Sequence, residues 1–102
     1  MRIPKRFKLM GQTIDVVYDA KMADTDDCSG LAKYRFNQIA LLPNTEGTLR
    51  LPTRIEQTFL HELIHWMFYV LGETDLRNNE KLVDSMAGLL HQALTTMEYE
   101  DK

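Results

Sequence analysis

The sequence contains a single cysteine, Cys28, among its 102 residues, so no disulfide can form within the chain. Long hydrophobic runs are also missing, because no apolar stretch approaches the roughly 20 residues that cross a membrane. The basic residues near the N-terminus are not followed by the apolar segment of a secretory signal. We therefore expect a cytoplasmic protein whose fold depends mainly on packing.

The sequence also lacks an excess of basic residues. It has 12 Lys and Arg residues and 15 Asp and Glu residues, and the resulting net charge of −3 argues against a nucleic-acid binder. A content of 44% hydrophobic and 26% charged residues is typical of a globular protein. A chain of this length suits one modest core with a shallow cleft and is too short for a separate substrate-binding lobe. We expect a single domain over residues 1–102.

The first half of the chain carries short β-prone runs. Gly11-Gln12 separates the first two runs, which predicts a β-hairpin, and Asn37 separates the next two. The predicted strands cover residues 7–10, 13–18, 31–36 and 38–42. The aperiodic segment 19–30 predicts a loop with a short helical turn near residues 20–23, and a turn through Glu46-Gly47 ends this half.

The second half shows helical periodicity. Thr53-Arg54-Ile55-Glu56 predicts a capping box at the start of a first helix, and Gly72 suits its C-terminal cap. A second helix is predicted from about residue 78 to 97, and Gly88 inside it predicts close packing against a neighbour. The predicted core stripe of this helix is Leu82, Val83, Met86, Leu89, Leu90, Ala93, Leu94 and Met97.

Together the two halves predict an α+β fold. A small antiparallel sheet of three or four strands in residues 1–52 would pack on two helices in residues 53–102. We expect the strand at residues 38–42 to form the edge of the cleft.

Residues 61–65 read His61-Glu62-Leu63-Ile64-His65, an HExxH motif inside the first predicted helix. Residues four apart lie on the same helix face, so the two imidazoles can converge on one metal ion. A zinc ion held by two histidines and a carboxylate keeps one position open for water. Glu62, turned about 100° from His61 around the helix, can reach that water as a general base. The motif therefore predicts metal-assisted hydrolysis of an amide.

Two histidines hold zinc weakly, so the predicted site needs a third protein ligand. Glu73 and Asp75 directly follow Gly72, and only a tight loop would bring them back to the metal. Glu80 starts the second helix after a loop long enough for that helix to fold back on the first, which makes it the preferred ligand. Asp84, one turn later, is the alternative third ligand.

If Glu80 binds the metal, Asp84 lies on the same helix face. Asp84 can then accept a hydrogen bond from the non-ligating nitrogen of a histidine, for which we favour His61. His91 lies roughly 16 Å from Glu80 along the helix axis, too far to share the metal, and is expected to pack beneath the HExxH helix. The competing interpretation is that Glu80 favours the helix dipole from a solvent-facing position. Asp84 is equally compatible with a solvent-facing position.

Three features have simpler interpretations than a binding site. The aspartates Asp24, Asp26 and Asp27 lack the glycine and the distal glutamate of a calcium loop, so we interpret them as a solvated loop. Cys28 is interpreted as a structural cysteine rather than a thiolate near the metal. The HExxH motif also occurs by chance on amphipathic helices, where its histidines are core or surface residues.

The HExxH motif followed by Asn79-Glu80-x-x-x-Asp84 resembles the gluzincin metallopeptidases, in which such a helix supplies the third zinc ligand and its aspartate orients a histidine. Over nearly its whole length the chain resembles the compact phage and prophage zincins related to ImmA/IrrE-type metallopeptidases. The metzincin pattern is absent, because Phe68 and Leu71 stand where it requires glycine and histidine. The candidates for the residue that stabilises the oxyanion in gluzincins are Tyr34, Tyr69 and His91.

This resemblance implies a zincin-like minimal domain with zinc as cofactor, a protein or peptide substrate, and the cytoplasm of a bacterial host. In the predicted mechanism, zinc on His61, His65 and Glu80 activates a water, Glu62 takes its proton, and the hydroxide attacks a peptide carbonyl. The alternative function is non-catalytic: a zinc-containing, phage-derived protein that binds a host protein. Four protein ligands on the metal would favour this alternative, whereas an open fourth position would favour the peptidase.

Overall fold

The computed structural model describes residues 1–22, 29–45, 48–49 and 51–100. Its strands are β1 (Arg6–Leu9), β2 (Gln12–Tyr18), β3 (Gly30–Lys33), β4 (Gln38–Leu41), β5 (Asn44–Thr45) and β6 (Thr48–Leu49). Its helices are α1 (Pro52–Leu71), the short α2 (Thr74–Arg77) and α3 (Glu80–Thr96). The predicted α+β class is confirmed, since strands fill the first half of the described chain and helices the second.

The main sheet has four strands in the order β1-β2-β4-β3. The predicted hairpin of β1 and β2 is confirmed, and its turn residues Met10 and Gly11 have positive φ angles of 48° and 81°, as tight hairpin turns require. The prediction of an antiparallel sheet is wrong, because β2 and β4 run parallel, with Val16 opposite Ile39. Parallel pairing suits a strand that is covered on both faces, and residues 39–41 are all 0% exposed.

The edge strands of this sheet are β1 and β3, and the one that borders the cleft is β3, not the strand predicted at residues 38–42. Strand β4 lies between β2 and β3, so its residues are interior. The strand predicted at residues 31–36 also ends early, because Tyr34–Phe36 form a 3-10 turn that closes at Asn37 in the left-handed conformation, with φ 51°. This turn connects the antiparallel strands β3 and β4 and directs Tyr34 away from the sheet ladder.

Helix α1 begins at Pro52, with Leu51 as its N-cap and no side-chain cap. The predicted capping box of Thr53 and Glu56 is therefore wrong, because Pro52 preorganises the first turn and leaves Thr53 inside the helix. Glu56 instead accepts a hydrogen bond of 2.8 Å from Nε2 of His91, and this bond lowers the pKa of Glu56. His91 thus packs beneath the first turns of α1, as predicted, and joins α3 to α1.

The core lies between the sheet and α1. Its buried side chains on these elements are Ile14, Val16, Ile39, Leu41, Phe59, Leu60, Ile64 and Trp66. Trp66 is fully buried, and its Nε1 donates a hydrogen bond of 3.0 Å to the backbone oxygen of Gln38. Because Trp66 follows His65 directly, this bond and the packing around it hold the HExxH turn rigidly against the sheet.

The connection between the long helices contains a turn that the sequence did not predict. The predicted cap at Gly72 is confirmed, with φ 75°, and the chain then forms α2 before it reverses. Helix α3 starts at Glu80, and Oδ1 of its N-cap Asn79 accepts a hydrogen bond from the backbone N–H of Leu82 at 3.1 Å. The cap fixes where α3 begins and therefore where Glu80 lies.

Helix α3 buries a narrower stripe than predicted, with Val83, Ala87 and His91 at its centre. The predicted core residues that are exposed are Met86, Leu89, Ala93, Leu94 and Met97. The predicted close packing at Gly88 is also wrong, since a Cβ there would meet no atom within 4 Å. Met86 and Leu89 instead line an open apolar groove together with Met67 and Leu71 of α1.

The predicted loop aspartates, Cys28 and the turn at Glu46-Gly47 lie outside the described residues. Among the residues that the structure describes, no helix is both long and apolar enough to cross a membrane. The single-domain organisation and the cytoplasmic location stay predictions.

Candidate metal centre

A cleft of about 880 Å³ opens beside the edge strand β3, the middle of α1 and the start of α3. Helix α1 contributes the HExxH turn to its floor, and α3 contributes its first two turns. The ionisable side chains that line the cleft are Tyr34, Arg54, His61, Glu62, His65, Arg77, Glu80 and Asp84.

His61, His65 and Glu80 converge at one point in this cleft. The Nε2 atoms of the two histidines are 3.1 Å apart. Nε2 of His61 lies 3.0 Å from Oε2 of Glu80, and Nε2 of His65 lies 3.0 Å from the other carboxylate oxygen. The four-residue spacing on α1 pairs the histidines, and the reversal through α2 returns the chain so that Glu80 faces them. These are the three residues that the sequence proposed as ligands.

The donor set of this triad fits a zinc ion. Bonds of about 2.0–2.2 Å in a tetrahedron separate ligand atoms by roughly 3.3–3.6 Å, a few tenths of an ångström more than the distances of 3.0–3.1 Å between the donors here. Burial lowers the pKa of His65 and so favours the neutral imidazole, which is the form that binds metal. The three residues could therefore hold a metal ion in this cleft.

Each histidine of the triad has a partner that fixes its ring. Nδ1 of His61 lies 3.1 Å from Oδ1 of Asp84, where the sequence placed a hydrogen-bonding carboxylate. The ring of His65 donates a hydrogen bond to the backbone oxygen of Arg77, at the end of α2. Such partners select the tautomer that leaves Nε2 free for a metal. Sequence reasoning missed Arg77, because a backbone oxygen has no residue signature and α2 was not predicted.

Glu62 lies beside the triad on the side of α1 that faces β3. It is only 8% exposed, and its carboxylate accepts a hydrogen bond from the backbone N–H of Ala32. Burial raises the pKa of Glu62 to about 7, with a further rise from Glu80 and an opposing effect from His61. A carboxylate with a pKa near 7 can both take up and release a proton at neutral pH.

Gly30 allows β3 to approach α1 closely at this carboxylate. A Cβ at position 30 would overlap Cγ2 of Thr58 and lie 3.2 Å from both Cγ and Oε2 of Glu62. Any side chain there would force Thr58 or the strand to shift and would also press on the glutamate. The sequence pattern did not reveal this role, since a glycine at the end of a loop is unremarkable until its neighbours are known.

Two tyrosines form a stacked pair next to the triad. The rings of Tyr34 and Tyr69 are 4.2 Å apart with planes at 14°, and Trp66 contacts both edge-on at 5.0 and 5.6 Å. Burial raises the pKa of Tyr34 to about 12 despite the opposing charge of Arg77, so this phenol is neutral at ordinary pH. Of the three candidates for an oxyanion-stabilising residue, only Tyr34 lines the cleft, because Tyr69 lies behind it and His91 binds Glu56.

The other acidic candidates for the third ligand stay outside this group. Glu73 is exposed just before α2 and Asp75 is exposed on α2, and neither is the third member of the triad, as predicted. Within the described part of the chain, the triad is the only group of three or more His, Cys, Asp or Glu side chains placed to hold a metal ion.

In comparisons with known proteins, no family model, curated protein or solved structure matches this chain.

Proposed function

We propose that this protein is a zinc-dependent metallopeptidase, a compact phage-type zincin similar to the ImmA/IrrE-type and gluzincin enzymes, which cleaves peptide bonds in a bacterial cytoplasm. The observation that carries this proposal is the convergence of His61, His65 and Glu80 in an open cleft with Glu62 buried beside them. A structural zinc site is closed by four protein ligands, whereas the described residues supply three here. That difference favours catalysis.

The chain's own residues have separate tasks in this proposal. His61, His65 and Glu80 hold the zinc ion, which when bound supplies Lewis acidity that acidifies a water and polarises a carbonyl. Glu62 takes the proton from the attacking water and delivers it to the departing amine, so it acts first as a general base and then as a general acid. Asp84 and the Arg77 backbone oxygen keep the imidazoles oriented throughout.

The edge strand β3 is the proposed docking site for the substrate backbone. It ends the sheet and borders the cleft, so an extended peptide can add to it as a further strand. Recognition through backbone hydrogen bonds gives affinity with little dependence on most side chains. Strand β3 is thus the proposed edge of the cleft, in place of the strand predicted at residues 38–42.

Metal removal and return test the proposal directly. The purified protein is expected to contain one zinc ion per chain and to hydrolyse fluorescently labelled, unfolded casein. A chelator should abolish this hydrolysis, and stoichiometric zinc should restore it, whereas magnesium should not, because Mg²⁺ prefers oxygen ligands. Protein that purifies without zinc and gains no activity when zinc is added would contradict the proposal.

Gly30→Ala is expected to lower hydrolysis roughly tenfold, because the added Cβ displaces Glu62 by a few tenths of an ångström. The same Cβ overlaps Thr58, so overpacking should also reduce the free energy of unfolding by about 1–3 kcal/mol. Both quantities are measured on the zinc-loaded protein, by casein hydrolysis and by thermal unfolding.

Thr58→Ser is the matched variant for this test. It removes the overlapping methyl group and keeps the hydroxyl, which donates a hydrogen bond of 2.9 Å to the backbone oxygen of Arg54. Gly30→Ala combined with Thr58→Ser should therefore regain stability but stay poorly active, because the contact with Glu62 remains. Recovery of full activity in the double variant would show that Gly30 serves packing alone.

A non-catalytic, protein-binding role has one observation in its favour. The apolar groove between α1 and α3 exposes Met67 and Leu71 at 44% and 67%, and Met86 and Leu89 at 38% and 69%. Contiguous exposed apolar surface often marks a protein interface. If this were the whole function, zinc-loaded protein would show no hydrolysis of casein.

A further inference from the structure

Arg77 is a positive charge on the cleft wall that the proposed hydrolysis leaves unused. Its side chain lines the cleft together with His65 and Glu80. Its backbone oxygen accepts the hydrogen bond from the His65 ring, so the residue adjoins a metal ligand directly. Among the described residues, no carboxylate lies within salt-bridge distance of its guanidinium. A cation therefore stands beside the reacting position without an acidic partner.

Aromatic rings hold this guanidinium in place. Its central carbon lies 5.3 Å from the ring centre of Tyr34 and 5.5 Å from that of Tyr69, within the range of cation–π attraction. The two tyrosines stack on each other, and Trp66 braces both from the core. The guanidinium lies beside the stacked pair, and its N–H groups on the side away from the rings can donate to an anion. A group held in this way loses little side-chain freedom when it binds.

The acidic groups of the cleft already have partners of their own. Glu80 contacts both histidines, Asp84 contacts His61, and Glu62 accepts from the Ala32 N–H. None of them neutralises Arg77 in the described structure. A guanidinium fork matches a carboxylate in shape and charge, and two parallel hydrogen bonds can form between them.

From this arrangement we infer that Arg77 is a carboxylate subsite beside the metal centre, which selects peptides with an acidic side chain next to the cleaved bond. The inference rests on the proposed metallopeptidase function and names its substrate class. Backbone pairing with β3 provides general affinity, while Arg77 adds a preference for Asp or Glu at one position.

Binding of small zinc-directed probes tests this subsite without any need for turnover. The probes are the hydroxamates of acetylated Asp and Glu, each paired with the matching Asn or Gln compound, and calorimetry measures their binding to zinc-loaded protein. At least one acidic probe is expected to bind roughly fivefold to tenfold more tightly than its amide partner. This preference should shrink as salt is added, since screening weakens an accessible ion pair.

Arg77→Gln should abolish the preference, so that each acidic probe binds no more tightly than its amide partner. Arg35→Gln is the matched control, because it removes the same charge from an exposed position outside the cleft and should leave the preference unchanged. Arg77→Lys keeps the charge without the planar fork and should retain part of the preference. Thermal unfolding of each variant shows that the comparison is made on folded protein.

Two results would overturn the subsite. If the parental protein binds acidic and amide probes equally, or if Arg77→Gln keeps the preference, Arg77 is a structural residue that only braces the tyrosines; the metallopeptidase proposal then stands. If no hydroxamate binds the zinc-loaded protein at all, the metal centre has failed, and the subsite fails with it.

Discussion

Glu62→Gln is expected to reduce zinc-dependent hydrolysis by about 10²- to 10⁴-fold, the usual contribution of a positioned general base. The amide keeps the size of the side chain but cannot take a proton from water. Glu62 is 8% exposed and next to the triad without belonging to it, so the substitution should leave the three metal ligands in place. Zinc content by atomic emission and kcat/KM on labelled casein are the two measurements.

The matched control for this substitution is Glu73→Gln, the same chemical change at an exposed position outside the cleft. It should leave both zinc content and hydrolysis unchanged. A Glu62→Gln protein that binds zinc and cleaves at the parental rate would show that another group accepts the proton. Loss of zinc together with activity would instead assign Glu62 to the structure of the metal centre.

The part of the fold that the sequence predicted is the part governed by local patterns. The hairpin of β1 and β2 follows from alternating residues around a glycine, and Gly72 ends α1 because the left-handed conformation suits glycine. The parallel pairing of β2 with β4 depends on how the chain returns between them, and no local pattern encodes that path. The prediction that residues 38–42 form the edge of the cleft was wrong for the same reason.

The predictions of the start of α1 and of the buried face of α3 were wrong for a different reason. Tertiary contacts overrode the local sequence patterns. Glu56 has the residue type and the spacing of a capping box, but the helix begins earlier, at Pro52. The Glu56 carboxylate accepts a hydrogen bond from His91 instead. Met86 and Leu89 have the right periodicity for a core, but α3 turns a different face to α1 and leaves them exposed. Periodicity shows that apolar residues share a face, not what covers it.

The placement of the candidate site was more predictable than the fold around it. The HExxH spacing fixes two nitrogens on one helix face, and a short connection limits which downstream acid can reach them, so His61, His65, Glu80 and Asp84 come together as proposed. The roles of Gly30 and Arg77 were not predicted. Gly30 allows β3 to approach Glu62 closely, and Arg77 contacts His65 through its backbone oxygen, so neither role depends on a recognisable side-chain pattern. Their roles exist only once β3 and α2 are in place.

Substitutions at the triad and at Asp84 should distinguish the metal ligands from the group that orients His61, because they are expected to weaken zinc binding to different extents. His65→Ala and Glu80→Ala each remove a donor atom that lies 3.0 Å from its neighbour in the triad, and each is expected to weaken zinc binding by more than about a hundredfold. Asp84→Asn disturbs only the contact with Nδ1 of His61 and should weaken zinc binding by about 10- to 100-fold. Competition with a chromogenic chelator measures all three affinities.

The order of these effects decides which acid is the third ligand, because Glu80 reaches the Nε2 atoms of both histidines whereas Asp84 reaches only the far nitrogen of His61. Asp75→Asn, on the exposed surface of α2, is the control and should bind zinc like the parental protein. If Asp84→Asn cost more affinity than Glu80→Ala, the two acids would exchange roles. If His65→Ala bound zinc as tightly as the parent, the metal would lie elsewhere, and the triad would be an arrangement of ordinary hydrogen bonds.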